Sequence, residues 1–320
     1  MDGVVLVSPE NYKISYSLNS LTNTKSTVDP IKAIEQFQRL KARIESHHIL
    51  VHVIDAKIAD PEGKYPDLVY VSNSALILRG SKVAILSRYA NPERQGEEER
   101  VGAYLKNILG YKVISLPKTE GLYFEGQGDT RWTTKDGKWH LWMCYGGRTT
   151  KSGIEAVTKA IHNEQENTVK DLTQDSGLEL NLTALPQELK SRPLVLTLIP
   201  CGTIIHTLHL IKKTYHLDLC FLPLQNGRVL FHDSSFSVAS RKEIENHFGK
   251  DKIINVPMKY MYACNSLEVN EKTLLIPKLG DGCRQWMYEK TGMRVEEINL
   301  EQFHLAGGSV ASIVLPLWSK

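Results

Sequence analysis

The sequence lacks the features that mark several large classes of protein. Its five cysteines (Cys144, Cys201, Cys220, Cys264 and Cys283) are odd in number, widely scattered and never paired as C-x-x-C. This pattern argues against a disulfide framework or a zinc motif and fits a reducing compartment. No apolar run approaches the ~20 residues needed to span a bilayer. The start, Met1-Asp2-Gly3-Val4, has neither the basic segment nor the long apolar segment of a secretory leader. The net charge is only +3, with no basic run and no aromatic-basic stripe, so nucleic acid is a poor partner. No P-loop is present, and no GxGxxG follows a strand-like run, so nucleotide binding has no support. His206, His209 and His216 lie near one another in sequence, but their spacing matches no ligand motif, and no metal is expected. The expectation is a soluble cytoplasmic protein that needs no cofactor.

What is present is a repeating rhythm. Short runs rich in Val, Ile, Leu, Tyr and Phe read as strands, among them Val4–Ser8, Ile49–Asp55, Leu68–Val71, Val83–Ser87, Trp139–Tyr145, Leu219–Leu224, Val229–His232, Thr273–Ile276 and Ser312–Leu317. Amphipathic stretches lie between them. Pro30–Ser46 has Asp29 as N-cap and proline in the first position. Pro92–Leu109 opens with an acidic turn and ends at Gly110. Gln225-Asn226-Gly227 signals a hairpin and so antiparallel neighbours, which weighs against a doubly wound parallel sheet. Polar motifs begin near Asp67, Glu125, His216, Asn265 and Gly307, and the last three recur roughly every 45–50 residues, the length of one ββαβ unit. From about 162 to 192 the chain turns polar and charged, and reads as an insertion in a single domain spanning 1–320.

Four segments combine special backbone residues with reactive side chains. In Phe124-Glu125-Gly126-Gln127-Gly128-Asp129, two glycines permit a tight turn that exposes Glu125 and Asp129. In Tyr215-His216-Leu217-Asp218, read as the start of a strand, His216 and Asp218 share a face, and such a pair can bind a cation and move its protons. Pro66–Ser74 sets Asp67 at the head of a strand and Asn73 at its end. Ala306-Gly307-Gly308-Ser309-Val310-Ala311-Ser312 is a glycine turn that offers Ser312 as an exposed nucleophile. Each has a plainer reading alone: a structural histidine, a capping aspartate, an amide satisfying buried backbone, an ordinary turn.

Together the segments resemble the amidinotransferase, arginine deiminase and dimethylargininase superfamily, which modifies guanidino groups. PDLVYVSNSALIL, NPERQGEEERVGAYL, FEGQGD, CYGGRTT, YHLDLCFLPLQNG and GGSVASIVLPL follow in the family's order over nearly the whole chain. The resemblance implies the pentein fold, a five-bladed α/β propeller of ββαβ repeats with pseudo-fivefold symmetry. It implies a hydrolase acting on C–N bonds of arginine or an arginine derivative through a covalent amidino intermediate, with no metal or organic cofactor. His216 is then the general acid/base, Glu125 and Asp218 grip the guanidinium, Asp67, Asn73 and Asp129 complete its surroundings, and Arg88 and Arg148 receive a substrate carboxylate. Where the family has its nucleophilic cysteine, this chain has Ser312, and a hydroxyl is a far weaker nucleophile than a thiolate. The serine is read as an inactivating replacement of that cysteine. Asn73, where deiminases often carry aspartate, is similar to the dihydrolases. The alternatives are an amidinotransferase and a non-catalytic pentein that binds a protein partner through 162–192; a homodimer is also open.

Overall fold

The computed structural model describes residues 1–176, 203–211 and 214–318. Its strands and main helices run in the order β1 (Gly3–Val7), α1 (Pro30–Glu45), β2 (Leu50–Ile54), β3 (Ala75–Ile77), β4 (Val83–Leu86), α2 (Glu97–Asn107), β5 (Lys112–Ile114), β6 (Thr130–Lys135), β7 (Lys138–Tyr145) and α3 (Lys151–Ser176). Then follow β8 (Ile204–His209), β9 (Phe221–Pro223), β10 (Val229–Phe231), α4 (Val238–Phe248), β11 (Ile253–Asn255), β12 (Leu267–Asn270), β13 (Thr273–Pro277), α5 (Cys283–Thr291), β14 (Arg294–Ile298) and β15 (Leu315–Leu317).

These strands form five three-stranded sheets with one plan. In each, a first strand pairs antiparallel with a central strand, and a helix carries the chain over to a third strand parallel to the centre: β3-β4-β5, β6-β7-β8, β9-β10-β11 and β12-β13-β14. The fifth sheet draws on both ends of the chain, with β15 antiparallel and β2 parallel to β1. The antiparallel turns are short, whereas each parallel return needs a helical crossover, which is why helix and strand alternate as they do.

The central strands are buried on both faces and so read as unbroken apolar runs. In β1, Val4 and Leu6 pack with Phe37, Leu40 and Ile44 of α1, while Val5 and Val7 join the cluster of Leu76, Ile85 and Phe124. Helix α1 starts as expected, with the Asp29 carboxylate accepting from the Ile31 and Lys32 amides. Helix α2 starts later than expected. Pro92–Arg94 forms a separate 3-10 turn, and Gly96, at φ 109°, precedes Glu97.

The polar stretch from 162 begins inside α3. Ile161 is in the core, and Glu164 is buried against the Lys112 ammonium, with its closer oxygen at 2.6 Å. Residues 177–192 of that stretch lie outside the described residues.

Two expected strands are turns. Leu68–Val71 belongs to consecutive 3-10 turns over Pro66–Val69 and Val71–Ser74. Leu217–Leu219 is also a 3-10 turn, so His216 and Asp218 are not strand neighbours on one face. The physical reason is position: an irregular turn precedes the first strand of each unit and reaches inward, with apolar residues because it is buried. Gly126–Asp129 precedes β6, Met258–Cys264 precedes β12, and Gly307–Ile313 precedes β15.

Candidate active site

These inward turns converge. Asp67, Asn73, His216 and Ser312 border one cavity of about 20 Å³ with Asn19, Tyr70, Arg94, Arg148, Tyr215, Ala306 and Gly308. Close approach of the turns demands glycine at two points. A Cβ on Gly128 would lie 2.1 Å from Asn73 Nδ2, and one on Gly308 would lie 2.1 Å from the Tyr70 ring.

His216 Nε2 lies 2.7 Å from Glu125 Oε2, and the Arg148 guanidinium donates to the same oxygen at 3.4 Å. Arg94 Nη1 is 3.9 Å away. Burial alone would raise the Glu125 carboxyl, but Arg148, the His216 hydrogen bond and charge, and Arg94 outweigh it and hold it at about 2. Glu125 is therefore a carboxylate throughout the neutral range.

On the opposite side, Ser312 Oγ donates to Asp218 Oδ2 at 2.9 Å. Asn265 Nδ2 donates to Ser312 Oγ, also at 2.9 Å, while its Oδ1 accepts from the Ala311 and Ser312 amides. Asn265 thus fixes both the backbone and the hydroxyl at this position. Asp67 is buried, and its carboxyl is pushed up by burial against the pull of Arg94 and Arg148.

Three buried atoms among these groups have no hydrogen-bond partner among the described residues: Glu125 Oε1, Asp218 Oδ1 and Asn73 Nδ2. Leaving such groups unpaired in a dry interior is costly. The two carboxylate oxygens suit a flat, multiply donating cation, whereas Asn73 Nδ2 is a spare donor and needs an acceptor.

Two candidates take other places. Asp129 has both oxygens occupied, Oδ1 by the Leu217 amide and the Cys144 thiol and Oδ2 by the Thr149 hydroxyl. It holds the His216 turn against the neighbouring unit. Arg88 donates to the backbone carbonyls of Leu122 and Thr119 and does not border the cavity. Arg94 takes the inward place instead. It is buried, grips Glu97 with Nε and Nη2 and donates from Nη1 to Asn73 Oδ1 at 3.2 Å. Burial works against its charge, and Glu97, Tyr89 and Asp67 outweigh that and keep it cationic. Its sequence signal is its place in the NPERQGEEERVGAYL segment, together with an i, i+3 pairing with Glu97 that any surface helix can show, and neither says that Arg94 turns inward. Cys144, Cys220 and Cys264 are buried, and burial raises each thiol, so none of them is primed as a replacement nucleophile.

A larger cavity, about 560 Å³, touches Gln127 and Ala311 of the inward turns and Ser266, which follows Asn265, and is walled by Arg131, Trp132 and Trp318. It includes neither His216 nor Ser312, which both border the smaller one.

Among the described residues no helix is long and apolar enough to cross a membrane. The family model for eukaryotic N,N dimethylarginine dimethylhydrolase matches residues 14–177, just over half of the chain. The bifunctional arginine dihydrolase/ornithine cyclodeaminase AgrE of Nostoc sp. is 29% identical over 317 residues, which cover 97% of this chain and 37% of that protein. The chain therefore spans little more than a third of this relative. The N-terminal domain of the cyanobacterial arginine dihydrolase ArgZ, solved bound to product, superimposes with a TM-score of 0.75 at 25% identity, covering 98% of this chain and 97% of that domain. A cysteine-to-serine mutant of the same domain, solved bound to substrate, gives 0.73 at 26% identity, covering 98% and 97%. Five like units, inward turns carrying a histidine and carboxylates, and these matches lead to one conclusion: the chain belongs to the N,N-dimethylarginine dimethylhydrolase family, within the superfamily that modifies guanidino groups.

Proposed function

We propose that the chain binds arginine or a close arginine derivative at the Glu125–His216–Asp218 constellation, in a site of the C–N hydrolase type, and that Ser312 in place of a cysteine leaves binding intact while suppressing turnover. The observation that carries this reading is the pair of buried carboxylates, each with one oxygen unpartnered, beside a histidine and a hydroxyl. A guanidinium offers five N–H donors in a plane and meets both acids at once. Its central carbon then lies between Ser312 and His216. In this arrangement Glu125 orients the His216 ring, His216 protonates the departing amine, and the group at 312 forms the covalent bond to carbon before water releases it.

Serine is poorly served here. Its hydroxyl proton points to Asp218, and a carboxylate is a far weaker base than the alkoxide it would have to generate. Asn265 adds a second anchor and holds the hydroxyl in that orientation. The five sheets fit the five-bladed propeller with the cavity on its axis, the geometry in which one inward turn from each unit meets the others. Arg148, with Asn19 nearby, is suited to the far carboxylate of an amino acid. The cavity has room for about one water as it stands, so entry of arginine requires the segment carrying Leu18 and Asn19 to lift. That segment is held by the Arg148 hydrogen bond to the Leu18 carbonyl and by Asn19 to the Ala306 carbonyl.

Titration calorimetry of the unaltered chain tests the reading. Arginine should bind, and agmatine, which lacks the carboxylate, should bind much more weakly. Absence of binding by arginine, methylated arginines and acylated arginines alike would remove it.

A further inference from the structure

A second constellation lies between the second sheet and the helix of the third unit, built from residues other than those of the guanidino site. His140 on β7, His206 on β8 and His247 near the end of α4 bring one ligand atom each to within 4.8 Å of one another. The three lie 66 and 41 residues apart in sequence, too far apart to form a motif. Parallel pairing sets Trp142 opposite His206 and His140 two residues earlier on the same strand face, and α4 lays His247 across both.

The orientation of the rings goes beyond proximity. His206 Nδ1 meets the Glu243 carboxylate at 2.8 Å, which fixes Nδ1 as the protonated nitrogen and turns the Nε2 lone pair toward His140. His140 Nδ1 lies 2.8 Å from that Nε2. A carboxylate holding the far nitrogen of an imidazole is the usual outer support of a metal-bound histidine. The Trp142 indole stacks on His206 at 3.8 Å and meets His247 edge-on at 4.9 Å, giving the cluster an apolar wall. Tetrahedral zinc at about 2.0–2.1 Å from each nitrogen places neighbouring donors roughly 3.3 Å apart, between the 2.8 Å pair and the 4.8 Å limit found here. Small rotations about the side-chain torsions close the difference.

We propose that His140, His206 and His247 form a three-histidine site for a divalent late transition metal, zinc above all, that clamps β7 and β8 to α4 of the next unit. Imidazole donors select zinc, copper or nickel over magnesium or calcium. The charges around the groove are Lys135, Asp136, Lys242 and Glu243, which balance in sign. Lys135 is engaged with the His247 backbone carbonyl.

The test uses the whole chain after dialysis against a chelator. Zinc is titrated in competition with a chromophoric chelator, and cobalt serves as a spectroscopic probe. One equivalent per chain is expected, with visible cobalt bands of a four-coordinate nitrogen site and no thiolate charge-transfer band, which rules out the free cysteines as ligands. His206→Ala and His247→Ala should each abolish the cobalt bands, and Glu243→Gln should weaken zinc by roughly 10- to 100-fold. Arginine affinity should stay at the parent value in all three. Zinc should raise the melting temperature of the parent and not of the histidine variants. If His206→Ala fails to fold, His247→Ala and Glu243→Gln decide the matter. No saturable single site, or a site that survives His247→Ala, would overturn the proposal.

Discussion

Replacing Glu125 by glutamine isolates the electrostatic part of the guanidino site. The side chain keeps its size and can still accept from His216, so packing is preserved while the charge is lost. That charge serves three cationic or donor groups, at 2.7 Å (His216), 3.4 Å (Arg148) and 3.9 Å (Arg94). Its second oxygen is buried and has no partner among the described residues. Removing one member of a buried charge-assisted pair costs about 2–5 kcal/mol. At 1.4 kcal/mol per decade, arginine affinity should fall by about 30-fold at the least and several thousand-fold at the most. The assay is calorimetry at neutral pH on the parent, on Glu125→Gln and on Glu120→Gln as an exposed control, with circular dichroism to confirm the fold. An unchanged dissociation constant in a folded Glu125→Gln protein would show that the cation does not sit against this carboxylate.

Three further expectations follow from the same geometry. Arg148→Ala should weaken arginine strongly while changing agmatine little, because only arginine has the carboxylate that Arg148 receives; equal losses for both, measured by calorimetry, would assign Arg148 to Glu125 alone. Asn265→Ala removes the side-chain hydrogen bonds to the Ser312 hydroxyl and to the Ala311 and Ser312 amides, which keep only backbone acceptors, and urea unfolding should show a loss of about 1–3 kcal/mol. Glu125 is depressed from 4.5 to about 2 in the folded chain, so its stabilising contribution is complete above pH 4.5 and disappears as pH falls through about 2. The gap in urea midpoint between the parent and Glu125→Gln should hold steady above pH 4.5 and narrow below it; a gap that widens with acid would contradict the assigned shift.

Much of this site was legible in the sequence for a structural reason. Each ββαβ unit places an inward turn before its first strand, so residues spaced by one unit arrive at one centre. His216, Asn265 and the Gly307 turn could be found by that spacing, and Glu125, 91 residues before His216, by the FEGQGD motif. The local shape of the turns was not legible, because buried 3-10 segments such as Leu68–Val71 and Leu217–Leu219 have the same apolar composition as strands. The choice between Arg88 and Arg94 was hidden too. Both flank the same loop, and only the separate turn at Pro92–Arg94 swings Arg94 inward while Arg88 satisfies backbone carbonyls. Asp129 looked like a ligand-facing acid, yet its oxygens are consumed in holding neighbouring turns together. The histidine trio was invisible because its members come from two strands and a helix of different units.

The most direct measurement is made on Ser312→Cys. Arginine, methylated arginine and acylated arginine are each incubated with the variant and with the unaltered chain, and products and intact protein are followed by mass spectrometry. The expected result is amine or ammonia release by the variant with a covalent adduct at residue 312, and binding without turnover by the serine form. Neither adduct nor product with any of the three compounds would contradict the assignment of position 312 to the attacking group and, with it, the hydrolase-type site.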